Sequence, residues 1–164
     1  MNHYQNILDK IVNHDTAKGL VSLWQSNNNE IVFTNGCFDI LHRGHVEYLA
    51  KAASLGHKLV LGLNTDNSVS RIKGPLRPVV DQNSRAVLLA ALGFIDLVVF
   101  FDEETPYELI KLIQPDILVK GSDYKPESIV GYDIVTEKGG RVETIDFVDG
   151  FSTTSLIEKI KKGY

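Results

Sequence analysis

Residues 34–45 read Thr34-Asn35-Gly36-Cys37-Phe38-Asp39-Ile40-Leu41-His42-Arg43-Gly44-His45 and join an apolar strand candidate to the start of a helix. Backbone N–H groups at a helix N-terminus attract anions, and Gly44 would let a phosphate come close to the main chain. Because His42 and His45 are three residues apart, their imidazoles share one helical face and can bind the same charged group. The stretch therefore predicts a strand-to-helix turn that holds phosphate, as nucleotide chemistry requires.

Length and composition fit a single globular domain. The chain has 164 residues, of which 43% are hydrophobic and 23% charged, as is ordinary for a soluble protein with a proper core. The net charge of -4 disfavours general nucleic-acid binding, which usually needs a basic face. A nucleotide substrate stays open, because a phosphate site needs only local positive charge.

The single cysteine and the polar N-terminus predict a cytoplasmic protein. Cys37 alone can form neither an internal disulfide framework nor a cysteine-based zinc site, and it suits a reducing compartment. Residues 1–15 lack the apolar block of a signal peptide. No apolar run approaches the roughly 18 residues of a membrane helix. We therefore expect neither a membrane nor a nucleic acid as partner.

Short apolar runs alternate with helical patterns along the chain. The five strand candidates are Ile31–Phe33, Lys58–Leu63, Leu97–Phe101, Ile117–Val119 and Arg141–Ile145. Helices are predicted from about Gly44 to Leu55 with Gly56 as a stop, from Asn83 to Leu92, from Thr105-Pro106 to Ile113, and from Ser152–Thr154 towards Lys162. Thr105 is expected to cap its helix, with Pro106 at the first helical position.

The order of these elements predicts the fold class. Strands that are apolar throughout and separated by helices indicate a parallel sheet covered on both faces. Right-handed crossovers then give an α/β fold with a doubly wound, five-stranded parallel sheet of Rossmann-like type. Ligands of such sheets bind beyond the carboxyl ends of the strands, where the strand order reverses. The turn at residues 34–45 lies at such an end.

The N-terminal region is predicted to be a helical extension of one domain that spans residues 1–164. Residues 1–28 have the pattern of one or two amphipathic helices, with an apolar stripe of Leu20, Leu23 and Trp24. Such a stripe packs either on its own domain or on a second subunit.

The residues alone leave two interpretations of the histidine pair. His42 and His45 form either a helix cap or solvated pair, or a set of imidazole N–H donors for phosphate. Their place after a glycine turn at a strand end favours phosphate, and nucleotidyl transfer needs mainly such positioning and charge stabilisation. No carboxylate or thiolate lies at a supporting local spacing, so no metal ligand is predicted.

Hydroxyl and basic residues provide two further phosphate candidates. Residues 150–155, Gly150-Phe151-Ser152-Thr153-Thr154-Ser155, open the last helix with more hydroxyls than an ordinary Ser/Thr cap requires. The loop from Arg71 to Pro78 carries Lys73 and is stiffened by two prolines. It is either a lid that grips phosphate or solvated surface.

Two other segments carry polar groups near strand ends. Arg85 begins the helix after the basic loop, as a phosphate clamp or as a surface ion pair. After the fourth strand candidate, Gly121 would let a base or sugar approach the backbone. Asp123 either contributes to that site or caps the next helix, and Tyr124 either lines it or packs.

Together these segments resemble the cytidylyltransferase-like nucleotidyltransferases, which pair a G-x-F-D-x-x-H-x-G-H turn with a late G-x-S-T-T helix start. Both are present here, at Gly36–His45 and Gly150–Thr154. Within that superfamily the chain looks most like the D-glycero-β-D-manno-heptose 1-phosphate adenylyltransferases, over about residues 35–160. The matching runs include Thr34–Gly36, Arg71–Gly74, Arg77–Val79, Asp149–Thr154 and Leu118–Glu127, and the part from Lys120 is the most family-specific.

The resemblance implies a Rossmann-like nucleotidyltransferase fold and transfer of AMP from ATP to heptose 1-phosphate, giving ADP-heptose for lipopolysaccharide precursor synthesis. The implied catalytic residues are His42, His45 and Lys73. The implied nucleotide and phosphate site comprises Gly36, Cys37, Phe38, Gly44, Arg85, Gly121, Asp123, Ser152, Thr153 and Thr154. Asn64, Asp66 and Arg71 would border the sugar phosphate, and Mg²⁺ would accompany ATP by bridging its phosphate oxygens.

Departures from the relatives bear on substrate and partners. Polyol-phosphate cytidylyltransferases lead into the Ser-Thr-Thr segment with Arg-Thr-Glu-Gly, where this chain has Phe147-Val148-Asp149-Gly150, which disfavours cytidine specificity. Glycerol- or polyol-phosphate cytidylyl transfer is the alternative reaction, and a non-catalytic nucleotide-binding module is the alternative class. The family and the apolar stripe favour a homodimer. Many relatives are fused behind a sugar kinase, whereas here a separate heptose kinase is expected.

Overall fold

Parallel strands form a central sheet with helices on both sides. The computed structural model describes residues 2–122, 125–146 and 150–163. Its strands are β1 (Ile11–Val12), β2 (Ile31–Gly36), β3 (Lys58–Asn64), β4 (Leu97–Phe101), β5 (Ile117–Gly121) and β6 (Arg141–Ile145). Its α-helices are α1 (His3–Leu8), α2 (His14–Ser26), α3 (Arg43–Ala53), α4 (Asp66–Lys73), α5 (Gln82–Ala90), α6 (Tyr107–Ile113), α7 (Tyr132–Glu137) and α8 (Thr153–Lys162), with a 3-10 helix at Pro126–Ser128.

The strand order places a crevice beside β2. The order is β1-β4-β3-β2-β5-β6, and every neighbouring pair is parallel. From β2 the chain moves outwards through β3 and β4, then returns to put β5 and β6 on the other side of β2. The order therefore reverses between β2 and β5, where ligands of such sheets bind. The predicted doubly wound parallel sheet is confirmed.

The sheet has one strand more than predicted, and it comes from the N-terminal region. Ile11 and Val12 pair with Val98 and Val99 of β4, and the Val98 N–H donates to the Lys10 carbonyl at 2.8 Å. The strand count of five and the purely helical reading of residues 1–28 are therefore wrong. Two residues are too few to give a strand period that a sequence can reveal.

Two predicted helix ends also differ. The helix α3 ends at Ala53, and Gly56 is not its left-handed stop. An added Cβ at Gly56 would lie 2.7 Å from Val32 Cγ2, so this position needs glycine for space. The helix α6 begins at Tyr107, with Pro106 rather than Thr105 as its N-cap and no side-chain capping bond.

Each face of the sheet is buried under its own apolar layer. One layer packs Leu49 of α3 and Leu89 of α5 against β2 to β4. The other packs Val21 of α2 and Ile110 of α6 against the opposite face. Successive strand residues divide between the layers because their side chains point to opposite faces. The two layers cover both faces of the central strands.

The apolar stripe of α2 is partly as predicted. Ala17 and Val21 are buried, and Leu20 and Trp24 pack beside them. Leu23 is 57% exposed, so it does not pack on its own domain, and packing of Leu23 on a second subunit stays a prediction. Positions 17, 20, 21 and 24 share one helical face, and position 23 lies off it.

Candidate active site

The carboxyl ends of β2 to β5 open into a cleft of about 570 Å³ at the crevice beside β2. The predicted site residues on its walls are Gly36, Cys37, Phe38, His42, Gly44, His45, Asn64, Lys73, Gly121, Ser152, Thr153 and Thr154. Of the residues that the structure describes, Asp66, Arg71 and Arg85 do not line it. Asp123 and Tyr124 lie outside the described residues.

The turn after β2 presents the two histidines as a stacked pair. His42 is the N-cap of α3, and its Nδ1 accepts from the His45 N–H at 3.4 Å. The two imidazole rings are nearly parallel, with centroids 3.7 Å apart and planes 16° apart. The ring of Phe38, whose φ is +44°, meets His45 edge-on at 5.1 Å. The pair is thus both a cap and a wall of the cleft.

Burial keeps both imidazoles uncharged near neutral pH. Burial, the neighbouring His42 and the ammonium of Lys73 lower the pKa of His45 to about 4. Burial also lowers the pKa of His42 below its ordinary value. A neutral imidazole still has one N–H donor, so the pair can bind phosphate oxygens without taking a proton. The donor role of the two imidazoles stays a prediction.

A buried carboxylate fixes this turn to the loop before α5. The Asp39 side chain is 1% exposed and pairs with Arg77 Nε at 2.5 Å. It also accepts from the backbone N–H groups of Val79 at 2.7 Å and Val80 at 2.9 Å. Burial raises the pKa of Asp39, but the three donors outweigh burial and hold it below its ordinary value. Asp39 therefore stays ionised and holds the phosphate turn in place.

Arg85 supports the site from beneath instead of binding phosphate. Its guanidinium is fully buried and donates to the carbonyls of Cys37 at 2.6 Å and Asn64 at 2.9 Å. It also pairs with Asp66 at 2.7 Å and donates to the Val80 carbonyl at 2.9 Å. The prediction of a phosphate clamp is corrected, because its donors are used within the protein. Asp66 is likewise engaged by Arg85 and lies away from the cleft.

Arg71 also has a partner other than a sugar phosphate. It is about half exposed and pairs with Asp102 Oδ2 at 3.1 Å, and it donates to the Asp102 carbonyl. Asp102 begins the loop after β4. The predicted sugar-phosphate contact is corrected, since Arg71 holds that loop to α4.

Lys73 and Asn64 border the cleft on the side of β3 and α4. Lys73 is the last residue of α4, and its charge is felt by both His45 and Cys37. Within the described part of the chain Lys73 has no ion-pair partner, so its ammonium can serve a phosphate. Asn64 is buried, and its amide donates to Ser68 Oγ at 2.9 Å.

Cys37, also on the cleft wall, is not suited to nucleophilic attack. Burial raises the pKa of the Cys37 thiol, which makes it a poor nucleophile.

The N-terminus of α8 faces the histidine pair. Ser152 is the N-cap of α8, and Thr153 and Thr154 line the cleft beside it. Phe151 stacks on His42 with ring centroids 6.2 Å apart. A Cβ added at Gly44 would lie 2.9 Å from Phe151 Cβ, so the absent side chain allows the two segments to touch. The two predicted phosphate-binding segments therefore share one cleft. We call the turn at residues 34–45 the first phosphate cradle and the N-terminus of α8, at residues 150–155, the second.

Several residues on the cleft wall were not predicted. They include Asn35 at the end of β2, Glu104, Thr105 and Pro106 after β4, Ser128 at the end of the 3-10 helix, and Ile129 and Val130 beyond it. The residues 104–106 follow a strand at its carboxyl end, and that position was the signal that could have found them. The others depend on how distant loops meet, which no local pattern encodes.

The family model described as Cytidylyltransferase-like matches residues 33–158, a span that contains both cradles and the whole cleft. The chain belongs to this family. Family membership identifies a nucleotidyltransferase. Within the described residues, no helix is long and apolar enough to cross a bilayer.

Individual relatives agree with this assignment. "Bifunctional protein HldE" of Geobacter metallireducens is 56% identical over 155 residues, which is 94% of this chain and 32% of that protein. The protein of the same name from Syntrophotalea carbinolica is 55% identical with the same coverage. The chain thus spans about a third of the length of the curated relatives it matches. A lipopolysaccharide core biosynthesis protein from Thermoplasma volcanium is similar in structure, with 28% identity and a TM-score of 0.58 over 73% of this chain and 97% of that one.

Proposed function

We propose that this nucleotidyltransferase transfers AMP from ATP to D-glycero-β-D-manno-heptose 1-phosphate, giving ADP-heptose and pyrophosphate. The proposal rests on one observation. The histidine pair and the N-terminus of α8 are far apart in the sequence, but they line the same cleft. The similarity to proteins named HldE and to a lipopolysaccharide core biosynthesis protein supports a sugar-phosphate acceptor.

The chemistry needs charge stabilisation more than proton transfer. A phosphate oxygen of the sugar phosphate attacks the α-phosphorus of ATP, and the bond from that phosphorus to the bridging oxygen breaks. Pyrophosphate leaves with the bond electrons. The attacking oxygen is already ionised, so no base is required. Imidazole N–H groups of His42 and His45, the Lys73 ammonium and the α8 N-terminus would stabilise the negative charge that builds up.

Mg²⁺ fits this cleft as a companion of ATP rather than as a resident ion. Among the described residues, no three metal-ligating side chains come together. The carboxylate of Asp39 is already used by Arg77 and two backbone donors. Bound to phosphate oxygens, Mg²⁺ supplies charge neutralisation. The protein groups that would face the same triphosphate are Lys73, the imidazoles and the hydroxyls of Ser152 to Thr154.

A pyrophosphate-release assay tests the proposal directly. ATP, CTP, GTP and UTP are each combined with heptose 1-phosphate, glycerol 3-phosphate and a polyol phosphate. We expect ATP with heptose 1-phosphate to give a kcat/KM at least about tenfold above every other pair, a difference of about 1.4 kcal/mol. A preference for CTP with glycerol phosphate would overturn the assignment of base and acceptor. Binding of ATP without pyrophosphate release from any pair would support a non-catalytic module.

Two partner expectations belong to the same proposal. Heptose 1-phosphate carries a phosphate group on a sugar, so a sugar kinase must act before this reaction. A homodimer follows from the family resemblance and is tested by light scattering at several protein concentrations. A molar mass of twice 18.3 kDa would support the dimer, and a mass of 18.3 kDa would contradict it.

A further inference from the structure

The walls of the cleft carry two different kinds of polar group. Near α3 and α8 they present donors for phosphate, namely imidazole N–H groups, the Lys73 ammonium and helix N–H groups. On the side of the loop after β4 they present Glu104 and Thr105. A carboxylate accepts hydrogen bonds and repels phosphate. This second wall therefore suits a part of the ligand that brings donors.

Glu104 differs from its two acidic neighbours. Asp102 is paired with Arg71, and the Glu103 carboxylate accepts from the Asp102 N–H at 3.0 Å. Neither of them lines the cleft. Among the described residues, no hydrogen bond or ion pair engages the carboxylate of Glu104, which is on the wall. Glu104 is exposed at the cleft wall, so its carboxylate is available to a ligand in the cleft.

The loop that carries Glu104 is held firmly in place. The Thr65 N–H donates to the Phe101 carbonyl at 3.0 Å, and Thr65 Oγ1 donates to Asp102. Ser68 Oγ donates to the Glu103 carbonyl at 3.4 Å, and Arg71 holds Asp102 from α4. A carboxylate on a fixed loop has a defined position at the cleft, which is what recognition of one stereochemical pattern requires.

Asn35, at the end of β2, adds a second acceptor to the cleft wall. Its Oδ1 is buried and has no hydrogen-bond partner among the described residues. A buried acceptor without a partner is costly, and a donor from a ligand would satisfy it. The Asn35 amide oxygen and the Glu104 carboxylate are thus two acceptors in a cleft whose other polar groups include donors for phosphate.

We propose that Glu104, assisted by Asn35, recognises hydroxyl groups of the acceptor substrate and determines which sugar phosphate reacts. Sugar hydroxyls donate to the carboxylate, while the repulsion between Glu104 and phosphate turns the phosphate end towards Lys73 and His45. One end of the cleft thus selects for hydroxyl groups, and the other positions the reacting phosphate. This inference rests on the proposed adenylyl transfer to a sugar phosphate.

Steady-state kinetics of Glu104→Ala, Glu104→Gln and Glu103→Gln test the inference. The substrates are ATP and heptose 1-phosphate, with a deoxy sugar 1-phosphate that lacks hydroxyls as a second acceptor. We expect E104A to raise KM for heptose 1-phosphate at least about tenfold, the scale of a hydrogen bond to a charged group, with KM for ATP within twofold. E104Q should raise the KM for heptose 1-phosphate less than E104A does, because an amide oxygen still accepts hydrogen bonds. E103Q is the matched control, and its kcat and KM values should equal those of the parent.

The acceptor comparison separates recognition from general damage. The parent should prefer heptose 1-phosphate over the deoxy analogue, and E104A should lose most of that preference. An E104A variant that keeps its KM for heptose 1-phosphate and its preference would overturn the inference and leave the adenylyl transfer standing. An equal rise in KM for ATP would also overturn it. A parent enzyme without activity on any sugar phosphate would overturn the proposed function, and the inference with it.

Discussion

The two phosphate cradles are built in opposite ways. The turn after β2 is tied down by buried charges, with Asp39 holding the loop before α5 and Arg85 holding the carbonyls behind the turn. The N-terminus of α8 depends on its own cap, a bond from the Ser155 N–H to Ser152 Oγ at 3.4 Å, and α8 has no buried residue. One cradle is part of the core, and the other rests on the surface.

This difference suggests a division of labour. Donors that are fixed before the substrate arrives need no reorganisation during the reaction, so the turn should act mainly on kcat. Donors on an exposed helix can adjust to a bound triphosphate, so α8 should act mainly on the KM for ATP. Substitutions in the two cradles test this contrast.

The largest effect is expected beneath the first cradle. Arg85→Met removes a fully buried guanidinium and leaves three carbonyls and Asp66 without their donor. We expect a loss of about 3 kcal/mol or more in the free energy of unfolding, measured by urea denaturation. Arg71→Met breaks an exposed pair and should cost about 1 kcal/mol or less. If R85M and the parent had the same free energy of unfolding, the claim that buried Arg85 supports the first cradle would be wrong.

The next effect concerns the chemistry of the first cradle. His45→Ala removes an imidazole donor from a fixed position, and we expect kcat to fall at least about a hundredfold with a much smaller change in KM for ATP. His3→Ala is the control, because His3 is exposed on α1. If H45A kept a kcat within a few-fold of the parent, the donor role of His45 would be wrong.

The protonation of the same residue is open to a separate measurement. NMR titration of the ring signals should give a midpoint near pH 4 for His45 and a value below 6.5 for His42. The folded pKa of His45 is depressed, so its contribution to stability is complete above pH 6.5 and is lost as the pH falls towards 4. The parent should therefore lose more stability than His45→Gln between pH 7 and pH 5. A His45 midpoint at or above 6.5 would contradict the depressed pKa of the buried imidazole.

A smaller effect is expected where the cradles touch. Gly44→Ala places a methyl group 2.9 Å from Phe151 Cβ and 3.2 Å from the His42 ring, so α8 must shift away. We expect kcat/KM for ATP to fall about tenfold, on the scale of a misplaced binding group. Gly19→Ala on α2 is the control, since nothing lies within 4 Å of the added atom. An unchanged kcat/KM for ATP in G44A would show that the contact between the two cradles does not matter for the reaction.

The smallest effect is expected at the surface cradle. Ser152→Ala removes the N-cap of α8 and one hydroxyl from the cleft, at a cost of about 1 kcal/mol. KM for ATP should rise a few-fold while kcat stays within twofold. Ser155→Ala, on the same helix but off the cleft wall, should match the parent. If kcat of S152A fell as far as kcat of H45A, the proposed division of labour between the two cradles would be wrong.

Local chemistry made the strand ends and the cradles predictable. A glycine turn with two histidines, and a helix that begins with three hydroxyl residues, carry their function in adjacent positions. The apolar runs of β2 to β5 are long enough to show their burial. The doubly wound sheet then follows from their alternation with helices, and it brings both cradles to the same edge.

The sequence could not predict features that depend on distant groups. Arg85 is a charged residue at a helix start, and nothing near it in the chain reveals that three carbonyls from separate segments surround it. Arg71 reads as a solvated or phosphate-binding cation until the position of Asp102 is known. The strand β1 has two residues, and its pairing depends on the position of β4 rather than on any pattern of its own.

The claim that both cradles hold one polyanion is tested most directly by a crystal structure with a non-hydrolysable ATP analogue. We expect phosphate oxygens within hydrogen-bond distance of the His45 imidazole and, on the same triphosphate, of the hydroxyls or N–H groups of Ser152 to Thr154. A triphosphate that contacts only one of the two segments, or that binds outside the cleft, would contradict it.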